Sequence, residues 1–292
     1  MNNYFKKNTQ SISKLWAINT ITNNIGKIVE TKDKIYCIVN KNQIKSTSFI
    51  TDIYCEGYNP RNKEIREKYN INKPICYVFR NINFNKEVRI FGYDSVDIYI
   101  ENCKFKYNNY ISTKGNCALV NSVMEPTLSN TILSNNLVVG NSNINAFNKI
   151  ILGAIDNLVI NNSKITGYDM LSYNPCVCIS SNKKTISIDN SNISSKNINI
   201  SASNILFSKS SLVKGKNSIS ITSDNIDRIL CDTKSLIFNG KTIASGKITL
   251  NKEELELLQK RQELLSSLTN INDDVKEKIS NKGNKTLLKN LK

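Results

Sequence analysis

The sequence predicts an all-β protein, a single-stranded right-handed parallel β-helix of about 7–9 coils followed by a C-terminal α-helical segment. A short phrase recurs about every 20 residues, which is typical of a solenoid. Apolar and variable positions alternate strictly within each copy, which is typical of a β-strand. An asparagine stands at the centre of most copies. The copies are YVFRNINF (77–84), IYIENCKF (98–105), CALVNSVM (117–124), LVVGNSNI (137–144), LVINNSKI (158–165), ISIDNSNI (186–193) and a degraded ILFSKSSL (205–212).

The recurring asparagine predicts a structural ladder at one corner of every coil. Asparagine tolerates the left-handed backbone that a sharp corner needs. Its amide can donate to one neighbouring coil and accept from the other, at about 1 kcal/mol net for each bond, so the ladder fixes register more than it adds stability. The Ser or Cys that follows is small enough to fit beneath the corner. The predicted ladder residues are Asn81, Asn102, Asn121, Asn141, Asn162 and Asn190, with Lys209 in the same slot of the degraded copy.

The remaining segments predict three parts. Residues 1–75 are predicted to form an N-terminal β-rich cap with a polar loop or short helix at 59–74, because a solenoid must cover its strand edges. Residues 76–249 form the parallel β-helix. Residues 250–292 predict an amphipathic helix or helix pair and a basic tail, capped at its start by Asn251. Two uses of residues 251–279 stay open: packing back over the last coil, or a coiled coil that would make a homo-oligomer.

Composition excludes several classes of chemistry. The chain contains no histidine, which excludes imidazole catalysis, Ser-His-Asp and Cys-His nucleophiles, and metal sites that need imidazole. The net charge of +16 has two interpretations: a polyanionic partner such as nucleic acid, or lysines that keep the solenoid soluble. No cofactor and no metal site is predicted.

The eight cysteines show no CxxC spacing and predict small, reduced, mostly buried residues. Cys176 and Cys178 alternate in a strand-like run, and we expect one to point inward and the other outward. No apolar run is long enough for a signal peptide or a membrane-spanning helix. The expected location is therefore the cytoplasm, of a microbe or of the host of a virus, or else a virion.

One break in the rhythm predicts a binding surface. The interval between Asn162 and Asn190 is 28 residues, and the extra residues fall in GYDMLSYNPCVC (167–178). Insertions in a solenoid emerge as loops on one face, often the binding face. Counting from each asparagine places aromatic, acidic and basic side chains in one column beside this loop; a solvated corner without a ligand is the alternative. The candidate binding residues are Tyr107, Phe147, Tyr168, Asp169, Tyr173, Lys196, Lys214 and Lys216.

Residues 76–249, and LVINNSKI above all, resemble the right-handed parallel β-helix proteins of the pectin-lyase-like superfamily. The resemblance covers about 60% of the chain and implies architecture rather than activity. The polygalacturonase-like branch needs a Gly-His-Gly motif, which a chain without histidine lacks. The pectate-lyase branch needs a calcium cradle of acids and an arginine base, and the acids here are scattered. Inverting tail-spike hydrolases need two carboxyls about 6.5–9.5 Å apart, for which Glu125 and Asp169 are the candidates.

The leading functional expectation is a non-enzymatic β-solenoid that presents a rigid face to a macromolecular partner, with a phage or mobile genetic element as one expected context. The first alternative is a polysaccharide-active lyase, hydrolase or tail-spike-like depolymerase that uses Glu125 and Asp169. The second is a binder of polyanions such as nucleic acid, using Lys196, Lys214, Lys216 and the tail. The partner could thus be a protein, a polysaccharide or a nucleic acid.

Overall fold

The structure is a computed structural model, and it describes residues 25–39, 50–55, 73–93, 96–170, 173–207, 211–223, 229–231, 236–238 and 241–244. The chain winds through about seven turns of a parallel β-solenoid, so the predicted parallel β-helix architecture is confirmed. Two sheets make its walls. Sheet A contains β1 (Ile25–Glu30), β2 (Ile35–Val39), β4 (Ile75–Arg80), β7 (Asp97–Glu101), β10 (Cys117–Val120), β12 (Leu137–Gly140), β14 (Leu158–Asn161), β17 (Thr185–Asp189), β19 (Asn204–Phe207) and β21 (Ile229–Cys231).

Sheet B contains short strands together with four strands of 10–12 residues that bend part-way along their length. Its strands are β3 (Ile50–Cys55), β5 (Asn83–Phe84), β6 (Glu87–Gly92), β8 (Lys104–Phe105), β9 (Asn109–Thr113), β11 (Val123–Ser134), β13 (Asn143–Ala154), β15 (Lys164–Gly167), β16 (Cys176–Ser181), β18 (Asn192–Ser201), β20 (Leu212–Thr222), β22 (Leu236–Phe238) and β23 (Lys241–Ala244).

Each strand pairs in parallel with the equivalent strand of the next coil. In sheet A, for example, Leu119 pairs with Val139, and Val139 pairs with Ile160. The antiparallel pairs among the described strands are β1 with β2 and β22 with β23, at the two ends of the stack. This register brings equivalent residues of the repeat into files along the axis.

The inward side chains of both sheets make one continuous apolar core. They come from alternate positions of the repeat, as a strand period of two requires. Leu119, Val139 and Ile160 of sheet A are fully buried, and so is Ile150 of sheet B. The core stays thin because each coil packs on its neighbours, which is how a chain with 39% apolar residues builds a solenoid.

The marker asparagines form the corner between sheet A and sheet B. Their φ angles lie between 43° and 57°, so all six have the left-handed backbone that the sequence predicts. The backbone N–H of each of the first five donates to the carbonyl of the residue before the next, as from Asn121 to Gly140. Their side chains are exposed. One amide–amide bond joins this file within the described residues, from Nδ2 of Asn190 to Oδ1 of Asn162 at 2.6 Å.

The buried ladder at this corner is made by the residue after each asparagine. Ser142 Oγ accepts the N–H of Ser122 at 3.1 Å and donates to the carbonyl of Gly140 at 2.7 Å. The same pattern continues through Ser163 and Ser191. Small size was the only role that the sequence analysis gave to these serines. Their hydroxyls also satisfy backbone groups that would otherwise be buried without partners.

Asparagine ladders of the predicted kind lie at the start of the sheet A strands. Asn136 donates from Nδ2 to Oδ1 of Asn116 at 2.7 Å, and its Oδ1 accepts Nδ2 of Asn157 at 3.0 Å. Asn116 in turn donates to the buried carboxylate of Asp97 at 2.9 Å. Three successive coils therefore each give one amide to a chain of hydrogen bonds that runs along the axis.

The described cysteines are free thiols, and the expectation about one pair of them is wrong. Five are buried, and burial raises the pKa of Cys103 and Cys117 to about 12. Cys176 and Cys178, however, both lie on the outer face of β16, with Val177 and Ile179 pointing inward between and after them. Residues two apart on a strand share a face, so neither thiol reaches the core.

Several predictions fall on residues that the structure does not describe. They are the C-terminal helical segment and basic tail (250–292), nearly all of the polar loop at 59–74, Lys209 and the side chain of Cys231. In the N-terminal 75 residues, β2 and β3 already pair in parallel with β4 and β6, so the stack of coils begins there. Within the described residues no helix has the length and apolarity to span a membrane.

Candidate functional site

The predicted binding residues other than Lys214 lie where the strands of sheet B bend. The pairing of β11 with β13 changes register after Met124 and again after Thr127, and that of β18 with β20 changes register after Ser195. Most residues at such irregularities leave the ladder and project outward, whereas Thr127 stays paired with Ala146 and is buried. We call this surface the binding flank, because the sequence analysis predicts binding there. It consists of residues 106–108, 125–128, 147–148, 168–170, 173–175, 196 and 216–217.

The 28-residue interval enlarges the binding flank, as the sequence predicts. Gly167 pairs with Ala146, and Cys176 pairs with Lys149. Eight residues (168–175) therefore stand where the preceding coil has two, 147 and 148. Gly167 is required at the base of this loop because a Cβ there would collide with the side chain of Ser195.

Three buried asparagines hold the strands beneath the binding flank. Asn109 donates from Nδ2 to the carbonyl of Tyr107 at 2.7 Å and to Oδ1 of Asn130 at 2.8 Å. Asn130 donates to the carbonyl of Asn145 at 2.6 Å, and Asn145 donates to the carbonyl of Met124 at 2.9 Å. These bonds satisfy backbone groups that the bend removes from the sheet ladder. The sequence analysis did not identify this cluster.

Aromatic side chains project from several coils of the flank. Tyr107, Tyr168 and Tyr173 are 53%, 39% and 36% exposed, and Phe147 is half-buried. Phe147 and Tyr168 belong to neighbouring coils, and their ring centroids are 6.2 Å apart with the planes tilted by 49°. Tyr107 lies two coils from Phe147 and stands apart from this pair.

A charged cluster lies beside these aromatic side chains, in the later coils of the flank. The Asp169 carboxylate binds Lys196 Nζ at 2.5 Å and Lys216 Nζ at 2.7 Å. Lys196 Nζ also donates to the carbonyl of Tyr173 at 3.3 Å, which ties the inserted loop to the next coil. The hydrogen bond from Lys196, followed by that from Lys216, lowers the pKa of Asp169. Because the Asp169 side chain is exposed to solvent, this cluster positions the loop more than it stabilises the fold.

The two carboxylates considered for catalysis do not form one site. Glu125 binds Lys104 Nζ at 2.5 Å, whereas Asp169 binds lysines of later coils. The register places them two coils apart, which is about 10 Å along the axis. Each carboxylate is therefore occupied by its own ion pair.

Lys214 lies on β20 rather than at the bend, where it pairs in register with Ser194 and Ile237. Its side chain is exposed, and no ion pair joins it to another described residue. The structure thus separates Lys214 from Lys216, which reaches across two coils to Asp169.

Two apolar residues of the flank escaped the sequence analysis. Leu128 is 47% exposed and Met170 is 45% exposed. Leu128 follows Pro126 at the bend, and Met170 stands in the inserted loop. An apolar residue at a turn position was the available signal, but it was overlooked because the analysis counted only aromatic and charged side chains.

Among the described residues no group of three or more Cys, Asp or Glu side chains is placed to hold a metal ion. No family model, curated protein or solved structure matches the chain. Function is therefore inferred from the geometry of the flank.

Proposed function

We propose that the protein is a non-enzymatic right-handed parallel β-helix that binds an extended macromolecule along the binding flank. The observation that carries the proposal is the row of exposed aromatic side chains, Tyr107, Tyr168 and Tyr173, on a stiff stack of coils. Aromatic side chains supply large contact area at a low cost in conformational entropy. We assign a right-handed helix because crossover connections between parallel strands strongly prefer that hand.

The shape of the flank favours a polymer over a small molecule. Successive coils rise by about 4.8 Å, so the five steps from Tyr107 to Lys216 span roughly 24 Å. Small ligands are usually enclosed in concave pockets. An open row of this length suits a chain that contacts several coils at once, as other solenoids use their extended surfaces.

Electrostatics favours binding over hydrolysis. A carboxyl that acts as a general acid near neutral pH needs a raised pKa. Lys196 and Lys216 lower the pKa of Asp169, which is the opposite direction. Glu125 is paired with Lys104. Both carboxylates therefore serve to hold lysines on the flank, and hydrolysis by this pair is not supported.

A single-stranded nucleic acid is the second candidate partner. Surfaces that bind it combine aromatic stacking platforms with positive charge along the backbone path. Tyr168 and Tyr173 lie beside Lys196 and Lys216, and Lys214 is exposed on the same stretch of sheet B. Because Asp169 neutralises part of this charge, we rank a weakly charged polymer first among the candidate partners and single-stranded nucleic acid second.

A binding panel of neutral and acidic polysaccharides and of single-stranded nucleic acids tests the proposal. We expect the double variant Tyr168→Ala/Tyr173→Ala to weaken binding by more than the about 5- to 150-fold that the loss of one ring would cause, since stacking contributes about 1–3 kcal/mol per ring. Tyr93→Ala is the matched control, because Tyr93 is 44% exposed but follows β6 at the far end of the sheet B strands. Equal affinity of the double variant and the wild type would overturn the flank as the binding surface.

Salt dependence separates the two partner classes. Binding to a polyanion should weaken steeply between about 50 and 200 mM salt, whereas binding to a neutral polymer should hardly change. Chain cleavage, measured as new chain ends in the same mixtures, would contradict the non-enzymatic proposal.

We also propose that the predicted helix at 251–279 packs back on the solenoid rather than on a second chain. What supports this is the outer face of sheet A, where Val78, Tyr99, Val138 and Val159 point away from the core yet are buried. Deletion of residues 251–292 should then expose apolar surface, measured as increased binding of a hydrophobic dye, without changing the number of chains per particle. A dimer that becomes a monomer on deletion would favour the coiled coil instead.

A further inference from the structure

Two thiols stand side by side on the outer face of sheet B. The Sγ atoms of Cys176 and Cys178 are 3.4 Å apart, on a strand whose intervening residue Val177 points into the core. Both are partly exposed, whereas the other five described cysteines are buried. The flank does not use them, although Cys176 follows its inserted loop directly.

We propose that Cys176 and Cys178 form a two-thiolate chelate for a soft divalent metal ion. Thiolates are the protein ligands that such ions prefer. At the roughly 2.3 Å length of a zinc–sulfur bond, two sulfurs on a tetrahedral ion are about 3.8 Å apart. The observed separation of 3.4 Å differs from that value by a few tenths of an ångström, which small side-chain rotations can supply.

Chelation suits this pair better than a disulfide does. Residues two apart on an extended strand have Cα atoms about 6.6 Å apart, near the upper end of the roughly 4.4–6.8 Å that disulfides bridge. Their Cα–Cβ bonds are also parallel rather than convergent. Oxidation would therefore distort β16, whereas a bridging ion would leave the strand in place.

The surroundings predict how binding depends on pH. Burial, followed by the hydrogen bond with Cys178, raises the pKa of Cys176 to about 11, and Lys149 on the neighbouring strand opposes this shift. An ion must then displace both protons: two thiols and one M²⁺ give the dithiolate complex and two H⁺. No third Cys, Asp or Glu joins the pair within the described residues, so water or an added ligand completes the coordination.

Titration of the reduced full-length chain with Cd²⁺ alone tests the proposal, with the ultraviolet cadmium–thiolate absorption as the readout. We expect about one Cd²⁺ per chain, bound at least about tenfold more weakly by Cys176→Ser or Cys178→Ser. Apparent affinity should rise about 100-fold for one unit of pH, because two protons are released.

Cys103→Ser is the matched control. It removes a buried thiol and places a serine where most other coils already have one, so it should keep the wild-type affinity. The double variant Cys176→Ser/Cys178→Ser retains every other thiol, including Cys231. Undiminished Cd²⁺ binding by this double variant would overturn the chelate. The reduced protein could instead show no cadmium band, and its mass could fall by two hydrogens after incubation with oxidised glutathione. That pair of results would also overturn the chelate and indicate a redox pair.

Discussion

The outer faces of sheets A and B differ although the same coils build both. On sheet A, the file through Val78, Tyr99 and Val138 is apolar and almost fully buried. On sheet B, the equivalent file through Tyr110 and Cys178 remains partly exposed. Strands that are buried on both faces are typical of an interior layer, and strands with one solvated face are typical of an outer wall.

This difference indicates that the two sheets have different roles within each coil. Sheet A strands are short, and the corner ladders of serine and asparagine fix their register. The long strands of sheet B (β11, β13, β18 and β20) bend part-way, and loops and aromatic side chains project outward at this level. Substitutions on sheet A should therefore act on stability, and those at the bend of sheet B should act mainly on binding.

The largest expected effect on stability comes from removing a tyrosine ring from the outer face of sheet A rather than from that of sheet B. Tyr99→Ala removes a ring that is 1% exposed and should lower the free energy of unfolding by about 3–5 kcal/mol, as for other large buried aromatic side chains. Tyr110→Ala removes the same ring from the partly exposed face of sheet B and should cost about 1 kcal/mol. Denaturant unfolding followed by circular dichroism measures both. Equal losses would show that the two faces are energetically alike.

A smaller effect is expected from the two kinds of asparagine ladder. Asn130 is fully buried beneath the flank, so Asn130→Ala removes one of the two acceptors of the Asn109 amide and the side-chain donor to the carbonyl of Asn145, and should cost about 1–3 kcal/mol. Asn136→Ala, in the half-buried ladder of sheet A, should cost about 1 kcal/mol or less, because water can replace its amide.

Hydrogen exchange gives these two variants a second readout. Asn130→Ala should speed exchange in residues 104–110, because the Asn109 amide that donates to the Tyr107 carbonyl loses its second hydrogen bond, the one to Asn130. Asn136→Ala serves as the control and should leave that segment unchanged. Faster exchange of 104–110 in the Asn136 variant alone would contradict the assignment of Asn130 as the support of the flank.

The fold could be predicted because each coil repeats the same short sequence pattern. Alternation sets which side chains point inward, and an asparagine in a left-handed conformation sets the corner, so neither depends on distant contacts. The serine ladder was also readable, since a serine follows the asparagine in most copies. The orientation of Cys176 and Cys178 was misjudged although the period of two decides it.

The candidate site was predictable only in part. Counting from the asparagines placed Phe147 next to Tyr168, because register alone determines that neighbour. It could not show that Lys216 reaches Asp169 across two coils, since that contact depends on how the inserted loop folds. The buried cluster around Asn130 did leave a signal: Asn130 has the same inward phase as Ile132, where a polar residue needs partners.

The smallest expected effect on stability concerns Asp169 and its pH dependence. The folded pKa is lowered, so the carboxylate contributes stability above its ordinary value of 3.8 and loses it as the pH falls through the lower folded value. Because the carboxylate is exposed to solvent, Asp169→Asn should shift the melting temperature by less than about 2 °C at neutral pH. That difference should vanish in acid below the folded pKa. Asp156→Asn, which breaks the Lys184 pair away from the flank, is the matched control.

Binding should respond to Asp169→Asn more than stability does. The variant frees Lys196 and Lys216, so a polyanion should bind it more tightly and with a steeper dependence on salt, whereas Asp156→Asn should show neither change. Thermal melts at several pH values and titrations at two salt concentrations measure both effects. If Asp169→Asn destabilises the fold strongly and leaves binding unaltered, the flank belongs with sheet A as a structural region, and the division between the two faces is wrong.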